Sequence, residues 1–240
     1  MQEATVIRLD KLLCEMGAGS RSEVRILLKK GRVTVDGRPV LSGETKVEER
    51  EARICLDGQP LLYAGTVYYL LHKPAGVVTA VRDARERTVL ELMREAPGKD
   101  LFPVGRLDKD TEGLLLVTND GGLAPRLLSP KKHVEKTYLV HTGAPVTEEM
   151  CRLLEAGVDI GDEKPTLPAR AKKLEYREDG LFLTIVEGRF HQIKRMLKAV
   201  GNEVVYLKRV SMGPLELGEL APGTWRPLTQ EERKALGVET

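Results

Sequence analysis

The chain is short of cysteine, of metal-ligand spacings and of long apolar runs, and each shortage excludes a class of protein. Its three cysteines, Cys14, Cys55 and Cys151, lie far apart and suggest neither a disulfide framework nor a C-x-x-C zinc site. The four histidines show no metal-ligand spacing, so we expect no metal. No apolar run approaches the roughly 20 residues that span a bilayer. The first residues lack a signal peptide's apolar core, so we expect a cytoplasmic protein without a membrane partner.

Charge is nearly balanced over the whole chain but unevenly distributed along it. Across 240 residues, 38 Lys and Arg oppose 36 Asp and Glu, and the resulting net charge of +2 does not by itself indicate nucleic acid. Basic residues nevertheless gather in three segments, with net charges of +4 over 20–40, +5 over 189–209 and +3 over 124–136. Such segregation indicates a surface that binds polyanions. Because only 4% of residues are aromatic, that binding should be mainly electrostatic and salt-dependent.

Residues 5–58 predict a compact module of two short helices and a few strands. Ser20-Arg21-Ser22-Glu23 is a capping box and predicts the start of the second helix, which should end at Gly31. Basic residues recur every four positions along this helix and therefore share one face: Arg21, Arg25 and Lys29. Alternating valines at 33 and 35 indicate a strand, and Asp36-Gly37 a tight turn after it.

The same segment resembles the S4 RNA-binding domain. The matching elements are Ile7–Leu13, Ser20–Ser22 and Gly31–Gly37. The resemblance implies a domain over residues 1–58 whose basic helix face binds structured RNA, mainly through phosphates. The basic residues to which this role would fall are Arg8, Lys11, Arg21, Arg25, Lys29 and Arg32.

Beyond a short linker at 59–66, residues 67–240 predict a larger domain rich in strands. Apolar or alternating runs predict strands at 67–71, 114–118, 138–141, 169–174, 181–186 and 204–210. Helices are predicted at 88–94, 147–154 and 192–200 and after Thr229, and Asp179-Gly180 is expected to turn a hairpin. Many strands with few helices indicate the α+β class.

A short acidic loop, Asp108 to Gly113, is the strongest candidate for chemistry. It precedes the apolar run Leu114–Val117, so a buried strand should hold it rigidly. The loop begins like a calcium-binding EF-hand, but its twelfth position is Asn119 rather than Glu, and a strand follows where a helix is required. A phosphoryl-accepting aspartate would need a buried strand before it, not after it, and an acidic metal site nearby, so this interpretation is disfavoured.

Attack of Asp108 on a nucleoside is the remaining chemistry for this loop. A carboxylate nucleophile must stay ionised and therefore needs a cation beside it. The cationic candidates are Arg106, Lys194 and Arg195. This chemistry needs neither a metal nor an organic cofactor.

The larger domain resembles the pseudouridine synthases, in particular the branch that carries an S4 domain and modifies ribosomal RNA. Four blocks match in order: Lys73–Gly76, Gly105–Gly121, Lys136–Tyr138 and Glu187–Met196. The resemblance extends from about Ile7 to Leu236. It implies an RNA-modifying isomerase that needs no cofactor, with a small α/β S4-like domain followed by a mixed, mainly antiparallel catalytic domain.

The resemblance also implies roles for individual residues. Asp108 is the expected nucleophile, Tyr138 the ring that stacks on the target uracil, and Lys194 the basic partner of the aspartate. Arg106 is expected to enter the space that the flipped base leaves. Three further residues are expected to form the pocket wall or to contact phosphate: Ile193, Arg189 and Arg195. Whether Asp108 attacks the base or the sugar stays open.

The substrate expected from the resemblance is one uridine of 16S ribosomal RNA, naked or within an assembly intermediate. Lys136–Tyr138 and the segment Gly157–Ala169 are similar to the small-subunit branch. The alternatives are a synthase acting on 23S RNA and a non-catalytic RNA-binding protein of ribosome assembly. An S4-bearing methyltransferase is disfavoured because no glycine-rich nucleotide loop follows an early strand. Since no exposed apolar stripe is evident, we expect a monomer.

Overall fold

A computed structural model describes residues 6–49, 52–61, 65–129 and 132–238. The chain forms two compact units. The N-terminal unit comprises Met1–Val67 and Glu95–Leu101, and the C-terminal unit comprises Tyr68–Arg94 and Phe102–Thr240. Within the predicted linker, Gln59–Pro60 form a strand, and residues 62–64 lie outside the described residues. No described helix has the length and apolar character needed to cross a bilayer.

The described residues of the N-terminal unit form two helices and two small sheets. Its elements in chain order are β1 (Val6–Arg8), α1 (Leu9–Glu15), α2 (Arg21–Lys29), β2 (Val33–Val35), β3 (Arg38–Pro39), β4 (Lys46–Glu48), β5 (Ile54–Leu56) and β6 (Gln59–Pro60). Strands β1 and β4 pair with each other, and the other four lie in the order β3-β2-β5-β6. The apolar faces of both helices form the core, with Leu9, Leu12 and Leu28 almost fully buried.

The predicted capping box starts α2, and the apolar spacing after it decides which side of this helix is buried. The Glu23 N–H donates to the Ser20 hydroxyl, and the Ser20 N–H donates to the Glu23 carboxylate at 2.8 Å. These bonds satisfy helix-end donors that would otherwise be unpaired. Val24 and Leu28 are buried, whereas Arg21, Arg25 and Lys29 are exposed on an adjacent side of the helix.

The C-terminal unit is built on one nine-stranded sheet flanked by helices. Its strands are β7 (Tyr68–Lys73), β8 (Phe102–Val104), β9 (Glu112–Thr118), β10 (Lys136–Thr142), β11 (Arg170–Leu174), β12 (Arg177–Ile185), β13 (Val204–Met212), β14 (Leu215–Glu216) and β15 (Trp225–Pro227). Its helices are α3 (Leu123–Leu128), α4 (Glu148–Ala156), α5 (Gln192–Ala199) and α6 (Gln230–Ala235), with a 3₁₀ helix at Val89–Met93. The strand order is β11-β12-β10-β13-β9-β7-β15, with β14 beside β13 and β8 beside β9.

One parallel pair, β9 with β13, joins the two halves of this otherwise antiparallel sheet. Glycine is required at its contact point, because a Cβ on Gly113 would overlap the backbone of Arg209. Gly113 also has φ of +109°, which L-residues rarely adopt. The acidic loop ends at this crossing and is therefore anchored in the middle of the sheet.

The fold confirms the predicted α+β class and corrects two local predictions. The segment predicted as a helix at 88–94 is a 3₁₀ helix, Val89–Met93. The β11–β12 hairpin turns at residues 175–176 and not at Asp179-Gly180, which lie inside β12. Gly180 serves there as the site of close packing, since a Cβ on it would collide with the Leu174 side chain.

Candidate active site

The acidic loop connects β8 to β9 and is held by hydrogen bonds from a distant segment. The Thr79 hydroxyl donates to the Leu107 carbonyl at 2.7 Å and accepts from the Leu107 N–H at 3.1 Å. Within the loop, the Thr111 N–H donates to the Asp108 carbonyl at 3.1 Å. Residues on both sides of Asp108 are therefore fixed, so its carboxylate starts from a defined backbone position.

A buried lysine braces the loop from below. Lys73 is fully buried at the end of β7, and its ammonium donates to the carbonyls of Thr111 at 2.8 Å, Pro74 at 3.0 Å and Lys109 at 3.1 Å. Burial lowers the pKa of Lys73 to about 8, against the opposing effect of nearby carboxylates, of which Asp110 is the strongest. Lys73 was not among the predicted site residues. Its signal in the sequence was a charged residue directly after an apolar strand.

The Asp108 carboxylate lies between two basic side chains of the segment that begins α5. Lys194 Nζ is 3.4 Å from its Oδ2, and His191 Nε2 is 3.6 Å from its Oδ1. Lys194 also donates to Asp110 at 2.6 and 2.8 Å, and this bond lowers the pKa of Asp110. The structure thus brings Lys194 to Asp108, as expected, but shares its ammonium with a second carboxylate.

A cleft of about 880 Å³ opens over Asp108. Tyr138 and Ile193 both line it, and both are more than nine-tenths buried. Arg106 also lines the cleft, and it is exposed, with no hydrogen bond or ion pair to other described residues. The cleft therefore combines a carboxylate, an aromatic ring, an apolar wall and a free guanidinium group. This set suits a planar, uncharged base attached to a phosphate backbone.

Arg189 and Arg195 were predicted to contact phosphate, and the structure places both in bonds within the protein. Arg189 pairs with Glu187 at 3.0 Å and donates to the carbonyls of residues 164 and 165. Arg195 pairs with Asp162 and donates to the Ile160 carbonyl at 3.1 Å. These guanidinium groups hold segment 160–165 against α5, and phosphate contact by them stays a prediction.

Three of the six predicted RNA-binding residues of the N-terminal unit form ion pairs, and the other three form none within the described part of the chain. Arg8 pairs with Asp10 at 2.7 Å, Lys11 with Glu15 at 3.7 Å, and Arg32 with Asp57. The other three, Arg21, Arg25 and Lys29, make no ion pair with described residues and share the exposed face of α2. That face is exposed and open to a polyanion.

Two further groups in the cleft were missed from the sequence. His191 has φ of +47° and stacks on Phe190 with ring centroids 3.8 Å apart. Arg209, from β13, is 3% exposed and lines the cleft floor. The sequence marked His191 only as part of a matching block and Arg209 only as one charge of a basic segment. Among the described residues, no cluster of three or more His, Cys, Asp or Glu is arranged to hold a metal.

Comparisons with known proteins agree on both units. A family model described as RNA pseudouridylate synthase matches residues 67–199, and one described as S4 domain matches residues 7–60. An uncharacterized RNA pseudouridine synthase of Bacillus subtilis is 48% identical, over 94% of this chain and 96% of its own. Ribosomal small subunit pseudouridine synthase A of Escherichia coli is 41% identical, over 94% and 98%. A solved crystal structure of a pseudouridylate synthase is 37% identical, with a TM-score of 0.67 over 96% and 99% of the chains.

Proposed function

The chain belongs to the RNA pseudouridylate synthase family and carries an S4 domain, and from this premise we propose that it converts one uridine of 16S ribosomal RNA to pseudouridine with Asp108 as nucleophile. The observation that carries the proposal is the position of Asp108 in a cleft beside Lys194 and Tyr138. An ionised nucleophile needs an opposite charge nearby, and a flipped base needs a ring on which to stack.

The mechanism begins with extrusion of the uridine from the RNA. Unstacking costs a few kcal/mol, which contacts inside the cleft must offset. Tyr138 stacks on the uracil ring, Ile193 supplies an apolar wall, and Arg106 moves into the space that the base leaves. Arg106 suits that role because it has no partner among the described residues that it would have to abandon.

The reaction itself exchanges one bond at C1′ for another. Asp108 attacks the nucleoside and forms a covalent bond to it, the N1–C1′ bond breaks, and the base turns within the cleft. A C5–C1′ bond then forms, C5 loses its proton to solvent, and N1 takes up a proton. The bond to Asp108 breaks again, so the carboxylate is regenerated and the product is an isomer of the substrate. Thr79 and Lys73 keep the carboxylate in place while the base moves, because they fix the backbone on both sides of Asp108.

One observation supports small-subunit RNA as the target, and a second supports RNA in general. The Escherichia coli relative with 41% identity is named ribosomal small subunit pseudouridine synthase A, and it matches this chain through both units. The unpaired basic face of α2 suits a phosphate backbone, because cations without a carboxylate partner can neutralise phosphates and displace the counterions of the RNA. We propose a monomer that acts in the cytoplasm on 16S RNA or an assembly intermediate, without a metal or organic cofactor.

Incubation with unmodified transcripts tests the target and the activity together. The protein should form pseudouridine at one position of a 16S transcript, or of 16S RNA within an assembly intermediate, and none on a 23S transcript, as mapped by chemical modification and primer extension. Product on 23S alone would refute the small-subunit assignment. Tight binding without product on any of these RNAs would support a non-catalytic ribosome-assembly protein instead.

Substitution of the nucleophile tests the mechanism. Asp108→Asn should abolish turnover and leave the RNA dissociation constant almost unchanged, since most RNA contacts are with phosphates. Asp100→Asn is the matched control, because Asp100 is exposed and its positive φ of 56° is one that Asn tolerates. Wild-type turnover by Asp108→Asn, or equal losses in both variants, would contradict the assignment.

A further inference from the structure

Two basic side chains lie at the floor of the cleft, apart from the basic groups that face Asp108. Lys136 begins β10 and is 8% exposed, whereas Arg209 lies in β13 and is 3% exposed. Both line the cleft that contains Asp108. Lysine and arginine are rarely buried to this extent unless a carboxylate or another anion accompanies them.

Neither cation has a carboxylate partner among the described residues. Lys136 Nζ donates to the Val134 carbonyl at 2.8 Å, and Arg209 Nε donates to the Leu114 carbonyl at 2.8 Å. Arg209 Nη2 is buried and has no hydrogen-bond partner in the described part of the chain. Burial lowers the pKa of Lys136, and the nearby Arg209 lowers it further. Two like charges thus share a site of low dielectric, an arrangement that costs free energy in the RNA-free protein.

Their position points to the base of the target nucleotide rather than to its phosphate. Lys136 and Tyr138 are two residues apart on one face of β10, about 7 Å along the strand. Arg209 lies directly opposite Tyr138 in the register of β10 with β13. The two cations therefore flank the ring that stacks on the uracil. Exposed Arg106, by contrast, also has no partner among the described residues and is the cation proposed to enter the space that the flipped base leaves.

We propose that Lys136 and Arg209 stabilise the negative charge that develops on the uracil as it detaches from the ribose. The inference rests on the proposed function. When the N1–C1′ bond breaks, its electron pair stays with N1 and spreads over the two carbonyl oxygens of the ring. Hydrogen-bond donors placed before the reaction stabilise such charge most effectively in a site that excludes water. The charge disappears when C5 bonds to C1′, C5 releases its proton to solvent and N1 is protonated.

Lys136→Met and Lys136→Arg separate this role from binding and from folding. Lys136→Met should lower the single-turnover rate constant about 100-fold, the scale of losing one donor to a developing anion. The RNA dissociation constant should change less than twofold, and the melting temperature without RNA should stay equal or rise, since an uncompensated buried charge is removed. Lys136→Arg keeps the charge and should recover part of the rate.

Lys172→Met is the matched control, because Lys172 is an exposed lysine in β11, and it should react at the wild-type rate. A weaker RNA affinity with an unchanged rate constant in Lys136→Met would assign the pair to phosphate and overturn the inference. A lower melting temperature together with a lost rate would show a structural role and overturn it as well. An inactive wild-type protein would refute the proposed function itself, whereas an active wild type with an equally active Lys136→Met would refute this inference alone.

Discussion

Replacement of Lys73 by methionine should destabilise the C-terminal unit by an amount that the structure lets us work out. The ammonium makes three hydrogen bonds to backbone carbonyls, each worth roughly 2 kcal/mol for a charged donor. Burial of the charge opposes this gain. It lowers the pKa from 10.5 to about 8, which corresponds to about 3 kcal/mol at 1.36 kcal/mol per unit. The expected net loss is therefore about 3 kcal/mol, or roughly 6–12 °C in melting temperature.

The pH dependence of the same variant provides a second signature. Because the pKa of Lys73 is lower in the folded protein, the unfolded chain binds more protons between pH 8 and pH 10.5. This group therefore adds stability as the pH rises through that window. Between pH 7 and pH 9 the free energy of unfolding should rise by about 1 kcal/mol more in the wild type than in Lys73→Met.

Urea unfolding at several pH values, with Lys172→Met as the exposed control, measures both quantities. Turnover at 25 °C should also fall, since the Lys109 and Thr111 carbonyls that Lys73 holds lie on the loop of Asp108. An unchanged free energy of unfolding in Lys73→Met would refute the bracing role. A difference between wild type and variant that stays constant from pH 7 to pH 9 would refute the buried, titrating ammonium.

Three further predictions concern other parts of the structure. Gly113→Ala should lower the free energy of unfolding by about 3 kcal/mol or more, the upper range for a point mutation, because its Cβ would meet the Arg209 backbone at positive φ. Thermal melting measures this loss, and a wild-type melting temperature would contradict the close approach. Thr79→Val should lower kcat about tenfold, since it leaves both backbone groups of Leu107 unpaired, whereas Thr79→Ser should retain activity. Glutamine at the three unpaired cations of α2 should reduce the steepness of log K for RNA binding against log salt by about 2. The replaced residues are Arg21, Arg25 and Lys29, and Arg32→Gln is the ion-paired control.

The elements that were predictable from the sequence are those whose signals are local. The capping box at Ser20 and the apolar spacing after it predicted α2, and both halves of that box form in the structure. The turn of the β11–β12 hairpin was predicted at 179–180 instead of 175–176, because Asp179-Gly180 is a strong turn signal when only neighbouring residues are considered. In the fold, Gly180 lies inside β12, where a Cβ would come within 2.6 Å of the Leu174 side chain across the hairpin. A glycine that reads locally as a turn residue therefore serves as a place of close cross-strand packing.

In the candidate site, too, residues within contiguous motifs were predictable, whereas residues that act from distant parts of the sequence were not. The acidic loop and the block around Lys194 were identifiable because each is a contiguous motif, and the structure brings them within 3.4 Å. Thr79 and Lys73 act on that loop from 28 and 38 residues away. Nothing in their own neighbourhood indicates the contact, since a threonine in a loop or a lysine after a strand has many common uses. Bracing residues of this kind become visible only when the sheet places them.

Counting charges along the sequence overstated the surface that is available to RNA. The segment 189–209 has a net charge of +5, yet Arg189 and Arg195 are held by Asp162 and by backbone carbonyls. Ion pairs likewise engage half of the six basic residues predicted for the S4-like domain. A cation held in an ion pair must first break that pair before it can displace a counterion from the RNA, so it adds little to the affinity for phosphate. We therefore expect RNA binding and catalysis to depend on cations without a carboxylate partner. Among the described residues, these are the exposed cations of α2 for the backbone, Arg106 for the space that the flipped base leaves, and buried Lys136 and Arg209 for the base.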